Sequence, residues 1–149
     1  MRIVLYEPEI PPNTGNIARL CAATKTPLHL IEPLGFSVDD KHLKRAGLDY
    51  WPHVDVTIHP NFEDFLTRVA PPRLVLASTK VSTPYHHFKF RPDDAIVMGP
   101  ETRGLPLDQM EEYQARVRIP MVGEVRSLNL STSTGIILYE ALRQTGGLD

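Results

Sequence analysis

The sequence alternates short apolar runs with longer amphipathic or polar stretches over 149 residues. The apolar runs are continuous or nearly so, which is typical of strands that helices cover on both faces. Strands that alternate with helical stretches favour an α/β fold built on a parallel sheet with crossover helices. We predict strands at Ile3–Tyr6, Leu28–Ile31, Val54–Ile58, Leu74–Ser78, Ala95–Met98 and Arg116–Ile119.

Helical patterns follow most of these strands. Asn61 is placed to cap a helix with an apolar stripe, and Gly146-Gly147 is placed to end the last helix. No linker, internal repeat or low-complexity stretch interrupts the chain, so we expect one domain over residues 1–149. We predict helices at Thr14–Thr24, Asp40–Ala46, Asn61–Val69, Leu107–Tyr113 and Leu130–Gln144.

Composition excludes several classes of protein. Cys21 is the only cysteine, so no intrachain disulfide can form, and we interpret it as a small buried hydrophobe. No apolar stretch approaches the roughly 20 residues that span a bilayer, and Met1 leads directly into the first strand. We therefore expect a cytoplasmic protein without a membrane segment. The six histidines lack the spacing of metal ligands, so we expect no metal.

The charge balance bears on nucleic acid as a partner. The net charge of −2 argues mildly against it, since phosphate binding usually leaves a basic footprint. Local clusters reduce that objection, because a patch can be basic on a neutral protein. These clusters are Lys41, His42, Lys44 and Arg45, and a second group of Arg116, Arg118 and Arg126.

Three motifs carry the candidate chemistry. They are Asn13-Thr-Gly-Asn-Ile-Ala-Arg19, Ile96-Val-Met-Gly-Pro-Glu-Thr-Arg-Gly-Leu-Pro106, and Ile119-Pro-Met-Val-Gly-Glu-Val-Arg-Ser-Leu-Asn-Leu-Ser131. The last two follow predicted strands, and loops at the carboxyl ends of parallel strands gather in one crevice where ligands bind. The chain has neither G-x-G-x-x-G after its first strand nor G-x-x-x-x-G-K-[ST]. A nucleoside without phosphates is therefore favoured over NAD or ATP.

The first motif places three polar residues at a spacing of three. On a helix, Asn13, Asn16 and Arg19 are predicted to share one face. The alternative interpretation is ordinary solvent exposure. We favour a functional role because Asn is a poor interior helix former.

The order and content of these motifs resemble the SPOUT class of RNA methyltransferases, from Arg2 to about Gln144. Within it they are most similar to the single-domain tRNA 2′-O-methyltransferases that modify the wobble cytidine or uridine. The resemblance implies a deep C-terminal trefoil knot, which general topology rules would reject. It also implies S-adenosyl-L-methionine as methyl donor, tRNA as substrate and a homodimer.

The resemblance also assigns roles to residues. Catalytic roles fall on Arg19, Asn16 and Glu101. In the resembling enzymes, the arginine that corresponds to Arg19 has been proposed as the base that deprotonates the attacking hydroxyl. A guanidinium stays protonated at working pH, so we favour a role for Arg19 in binding an RNA phosphate. Substrate binding falls on Asn13, Arg19, Lys44, Arg45 and Tyr139. Donor binding falls on Ala77, Ser78, Thr79, Gly99, Glu101, Gly104, Ile119, Met121, Ser127 and Leu128.

Two alternatives stay open. One is the same chemistry on another RNA, such as ribosomal RNA, although such relatives often carry an extra RNA-binding domain. The other is a non-catalytic RNA- or nucleoside-binding protein that retains the fold. Tyr50 and Trp51 either stack on a loop base or form part of the core.

Overall fold

The computed structural model describes residues 1–39, 41, 45 and 48–149. Within them, strands β1 to β6 form one sheet in the order β3-β2-β1-β5-β4-β6, and every pair is parallel. The predicted α/β class with a parallel sheet is therefore confirmed. The strands are Arg2–Tyr6, Leu28–Ile31, Val56–His59, Arg73–Ala77, Asp94–Met98 and Arg116–Val117.

Three α-helices are described. They are α1 (Pro11–Thr24), α2 (Phe62–Val69) and α3 (Leu130–Thr145). Helix α1 begins earlier than predicted, because Pro11 and Pro12 occupy its first turn, where no backbone N–H is needed. The predicted helix at Asp40–Ala46 falls largely outside the described residues.

Two predicted helix boundaries are confirmed, the start of α2 at Asn61 and the end of α3 at Gly146. The Asn61 side chain accepts a hydrogen bond from the backbone N–H of Asp64 at 2.7 Å, as an N-cap does. Gly146 takes the left-handed conformation (φ 77°) and its N–H donates to the carbonyl of Leu142.

The predicted helix at Leu107–Tyr113 is wrong. Only a 3-10 turn forms, over Leu107–Gln109. The backbone N–H groups of Met110 and Tyr113 bond three residues back, to the carbonyls of Leu107 and Met110, whereas an α-helix needs bonds four residues back. The segment therefore forms tight turns, and the Arg116 guanidinium holds them by donating to the carbonyls of Met110 and Tyr113, both at 2.8 Å.

Helices cover both faces of the sheet. One core lies between the sheet and helices α1 and α3, and it holds Ile3, Leu5 and Cys21. The other lies under α2 and holds Val4 and Phe65. Burial raises the pKa of the Cys21 thiol to about 12, in agreement with a structural role. Trp51 packs against the first core, as one of its two interpretations predicted.

Strand β6 has a partner on each edge. On one side, Ser78 beyond β4 donates to the carbonyl of Val117 at 3.0 Å. On the other, Arg118 donates to Thr83 at 2.9 Å and accepts from Tyr85 at 2.8 Å. Since residues 78–93 connect β4 to β5, this connection passes around the outer edge of β6. Such an arrangement is what a threaded chain requires, and the knot itself stays a prediction of the resemblance.

Candidate functional site

A cavity of about 760 Å³ opens at the carboxyl ends of β4, β5 and β6. Its walls come from the loops that follow these strands and from the first turns of α3. The position agrees with the rule that ligands bind beyond the carboxyl ends of parallel strands. All of the predicted donor-binding residues line it: Ala77, Ser78, Thr79, Gly99, Glu101, Gly104, Ile119, Met121, Ser127 and Leu128.

The loop after β5 turns back on itself. A Cβ atom on Gly99 would lie 2.5 Å from the backbone nitrogen of Leu105, which no real side chain tolerates. Gly104 has φ 68°, in the left-handed region that favours glycine. Both glycines are thus needed for the shape of this wall.

Glu101 links this loop to the start of α1. Its carboxylate accepts hydrogen bonds from the backbone N–H groups of Glu9 and Ile10, both at 2.8 Å. It also accepts from the side-chain amide of Asn13 at 3.1 Å. The carboxylate therefore satisfies free N–H donors at the N-terminus of the helix, where a negative charge is stabilising.

Asn13 extends the link to the third motif. This buried side chain donates to Glu101, and its oxygen accepts from the amide of Asn129 at 2.9 Å. The Asn129 oxygen in turn caps α3 by accepting from the backbone N–H of Ser131 at 2.9 Å. One chain of hydrogen bonds thus joins all three motifs. Sequence reasoning missed Asn129, although its place before a helix was a cap signal.

A second set of contacts joins the same two loops. The Glu9 carboxylate accepts from the backbone N–H of Thr102 at 2.9 Å and from its hydroxyl at 2.8 Å. These bonds lower the pKa of Glu9 below its ordinary value. Arg103 forms an ion pair with Glu7 at 2.7 Å. Glu9 and Glu101 therefore hold each other's loops, and neither Glu7 nor Glu9 stood out in the sequence.

Comparison with known proteins identifies the family. The model of the SpoU rRNA Methylase family matches residues 1–139. The chain belongs to this family. A tRNA (cytidine(34)-2′-O)-methyltransferase of Aeromonas hydrophila is 53% identical, over 97% of this chain and 94% of the relative.

Solved structures support membership of the SpoU family. One described as structural insights into the 2-OH methylation of C/U34 on tRNA has a TM-score of 0.90 and 48% identity, covering 96% of this chain and 94% of that one. The SpoU methyltransferase AviRb from Streptomyces viridochromogenes, in complex with the cofactor AdoMet, has a TM-score of 0.87 and 25% identity, over 97% of this chain and 60% of that one. The predicted family and methyltransferase activity are confirmed.

Of the other residues predicted to act in this SpoU-family chain, Asn13 also lines the cavity, whereas the remaining described ones lie outside its lining. Asn16 and Arg19 are exposed on α1, whereas Asn13 is buried, so the three do not share one face as predicted. A step of three residues turns a helix 60° short of a full circle, which is enough to move Asn13 inward. Tyr139 is exposed on α3, and Arg45 is also exposed. Lys44 lies outside the described residues.

The chemistry of the cavity fits a nucleoside with a sulfonium tail. Ile119, Met121 and Leu128 offer apolar walls, and Ser78 and Ser127 offer hydroxyl groups. The volume falls within the range of about 300–1,000 Å³ found for small-molecule sites. Among the described residues, no group of three or more His, Cys, Asp or Glu side chains is placed to hold a metal ion. Of the helices described, none has the length and apolar character needed to cross a bilayer.

Proposed function

We propose that this protein methylates the ribose 2′-hydroxyl of nucleotide 34, a cytidine or uridine, in the tRNA anticodon loop. The observation that carries the proposal is the hydrogen-bonded chain from Glu101 through Asn13 to Asn129. It fixes the cavity loops relative to α1, the helix that presents Asn16 and Arg19. The relative from Aeromonas hydrophila, 53% identical, carries the name of this activity.

The residues of the cavity would hold the methyl donor. S-adenosylmethionine, when bound, supplies an electrophilic methyl group on a sulfonium. We assign the nucleoside part to the segments Ala77–Thr79 and Ile119–Met121, which together offer backbone groups and apolar side chains. Met121 and Leu128 would pack their apolar side chains against the bound donor and limit the access of water to the reacting groups.

Arg19 and Asn16 would orient the acceptor. Methyl transfer requires the hydroxyl to lie in line with the leaving group, and positioning of this kind supplies a large part of the rate. A guanidinium cannot accept the hydroxyl proton at neutral pH, so Arg19 is assigned to clamp a phosphate. The proton leaves to phosphate or water. Glu101 acts as a positioning residue, since its hydrogen bonds are all made within the protein.

We also propose a cytoplasmic homodimer in which Arg19 of one subunit serves the cavity of the other. In its support, Arg19 lies outside the cavity lining. Val122 and Val125 in the third motif and Tyr139 on α3 are exposed. Such side chains suit an interface of two identical surfaces.

The activity is tested by nucleoside mass mapping. Bulk tRNA and ribosomal RNA are incubated with the protein and isotopically labelled methyl donor, then digested and sequenced by mass spectrometry. We expect label on the ribose of nucleotide 34 of a subset of tRNAs. Label confined to ribosomal RNA, or its absence from both RNAs, would refute the proposal.

The composite site is tested by mixing two inactive variants. Arg19→Ala removes the acceptor clamp, and Thr79→Trp fills the cavity. If Arg19 acts across the dimer, mixed dimers regain one intact site, and turnover returns to about a quarter of wild type. If it acts within its own subunit, mixing restores nothing. Calorimetry with the methyl donor should show normal affinity for Arg19→Ala and none for Thr79→Trp.

A further inference from the structure

Among the charged side chains of the cavity wall, positive ones outnumber negative ones. Among the described residues that line the cavity, one is acidic, Glu101. Four are cationic: Lys80, Arg103, Arg118 and Arg126. Glu101 is already occupied by three donors from the protein. Arg103 is neutralised by Glu7. Three cations therefore remain.

These three cations form no ion pair within the described part of the chain. Arg68, Arg73 and Arg143 do pair with carboxylates elsewhere. The contrast matters because the protein carries a net charge of −2 overall, so acidic partners are abundant in the sequence. Since none of these acidic groups pairs with Lys80, Arg118 or Arg126 among the described residues, the three charges contribute a local positive potential at the cavity.

The fold brings two of these cations together. Ala77 and Val117 are register partners on β4 and β6, and Lys80 and Arg118 follow them on the adjoining loops. The backbone N–H of Lys80 is held by the Ser78 hydroxyl at 3.1 Å. Arg118 donates to the carbonyl of Ser82 at 3.4 Å, which ties its guanidinium to the loop that carries Lys80. Arg126 approaches from the loop before α3.

The methyl donor does not account for this charge. It carries a sulfonium and an ammonium against one carboxylate, and is thus a net cation that like charges repel. The acceptor, by contrast, is a polyanion, and its phosphates must lie beside the cavity when a ribose hydroxyl reaches the donor. Cations that have no carboxylate partner among the described residues suit phosphate oxygens at that place.

We propose that Lys80, Arg118 and Arg126 form a phosphate-binding rim that holds the RNA backbone beside the target ribose. The proposal rests on the proposed function, because it takes RNA as the acceptor. It assigns this rim to phosphodiester groups and leaves base recognition to other residues, so its effect on binding is independent of sequence.

The test measures RNA binding without catalysis. The probe is a fluorescently labelled RNA hairpin that reproduces an anticodon stem-loop, titrated with protein at several salt concentrations. We expect Lys80→Gln and Arg126→Gln each to weaken binding about tenfold, as the loss of a charged hydrogen bond would. Each should also lower the slope of log affinity against log salt by about 0.7, the value for one phosphate on a single strand. Arg126→Lys should keep the slope.

Lys89→Gln is the matched control. Lys89 is also exposed, and its carbonyl accepts from Arg73 at the amino end of β4, far along the strand from the cavity. This variant loses the same charge and should leave both affinity and salt slope unchanged. Thermal unfolding of each variant checks that the fold is intact.

Calorimetry with the methyl donor distinguishes the alternative source of negative charge, its carboxylate. If Lys80→Gln and Arg126→Gln weaken donor binding while RNA binding is unaffected, the rim holds the donor and the proposal is wrong. An unchanged salt slope in both variants also overturns it. Failure to label nucleotide 34 would instead count against the proposed function, since the binding assay does not depend on turnover.

Discussion

The carboxylates at the two ends of strand β5 have different hydrogen-bond partners. Asp94 begins the strand, is fully buried, and accepts from the Arg73 guanidinium at 2.6 and 2.7 Å and from the Arg91 backbone at 2.8 Å. Glu101 follows the strand and accepts only from neutral donors of the segment that starts α1. The first lies at the amino end of the sheet and the second lines the cavity.

The difference teaches how position in the sheet decides the use of a carboxylate, buried in Asp94 and half-buried in Glu101. Asp94 has a cation as its partner, and this hydrogen bond raises the pKa of Arg73 above its ordinary value. The pair links β4 to β5 and stabilises the fold. Glu101 pairs with no cation in the part of the chain that the structure describes. Its charge orients backbone N–H groups and fixes a loop at the place where strands end and ligands bind.

The largest expected effect is on stability, from Asp94→Ala. Removal of the carboxylate leaves the Arg73 charge without its partner in a partly buried position, which costs about 3–5 kcal/mol of unfolding free energy. Urea denaturation measures it, and methyl transfer per folded molecule should stay unchanged. Asp93→Ala, an exposed neighbour, should cost less than about 0.5 kcal/mol. Equal effects of the two substitutions would mean that the pair has no structural role.

Glu101→Ala should reverse this pattern. The loop loses its attachment to α1, and misplacement of reacting groups by about 1 Å can lower kcat/KM about 100-fold. Unfolding free energy should fall by less than in Asp94→Ala. Glu101→Gln keeps one acceptor oxygen and should recover part of the rate, while Asp108→Ala, an exposed carboxylate, should have none of these effects. A stability loss as large as that of Asp94→Ala with normal turnover would remove the distinction between the two ends.

Local signals were enough to predict much of the fold. The strands were visible because continuous apolar runs are required of strands buried on both faces. The cap at Asn61 and the stop at Gly146 depend on neighbouring residues alone. The turn at Gly99 and Gly104 was predictable for the same reason.

Contacts between distant residues were beyond such signals. Glu101 lies 92 residues from Glu9 in the chain, and Asn129 lies 116 residues from Asn13. No periodicity encodes those partners. The turns that replace the predicted helix at Leu107–Tyr113 also have a partner outside the segment, since Arg116 of β6 donates to two of their carbonyls. The resemblance could name candidate site residues, but only the fold shows which of them touch.

The buried His29 sharpens the comparison, because among the described residues no carboxylate is in direct contact with it. Arg2 donates to Nε2 of His29 at 3.1 Å, so the His29 proton lies on Nδ1 and is donated to Nε2 of His59 at 2.9 Å. Burial, followed by the charge of Arg2, lowers the pKa of His29 to about 4. This arrangement stabilises the neutral imidazole of His29 and disfavours its protonation to the imidazolium.

Stability should therefore fall as the pH is lowered. An unfolded histidine gains a proton near pH 6.5, whereas the folded one gains it near pH 4. The unfolded state binds more protons between these values, and stability declines by about 1.4 kcal/mol per pH unit over that window, or about 2 kcal/mol at pH 5. Urea midpoints from pH 8 to pH 4 measure this decline. His29→Asn should flatten the curve, and His53→Asn, at an exposed position, should leave it unchanged. Identical curves for wild type and His29→Asn would contradict the assignment.

The smallest expected effect comes from Thr102→Val, which tests how the carboxyl-end loops share their hydrogen bonds. Glu9 loses the hydroxyl donor but keeps the backbone N–H of Thr102. One net hydrogen bond contributes about 0.5–1.5 kcal/mol. The affinity for the methyl donor, measured by calorimetry, should therefore weaken a few-fold. Because the Glu101 contacts remain, kcat at saturating donor should stay near wild type. If kcat instead falls as far as in Glu101→Ala, the two carboxylates act as one unit, and the loop has a single anchored state that either substitution destroys.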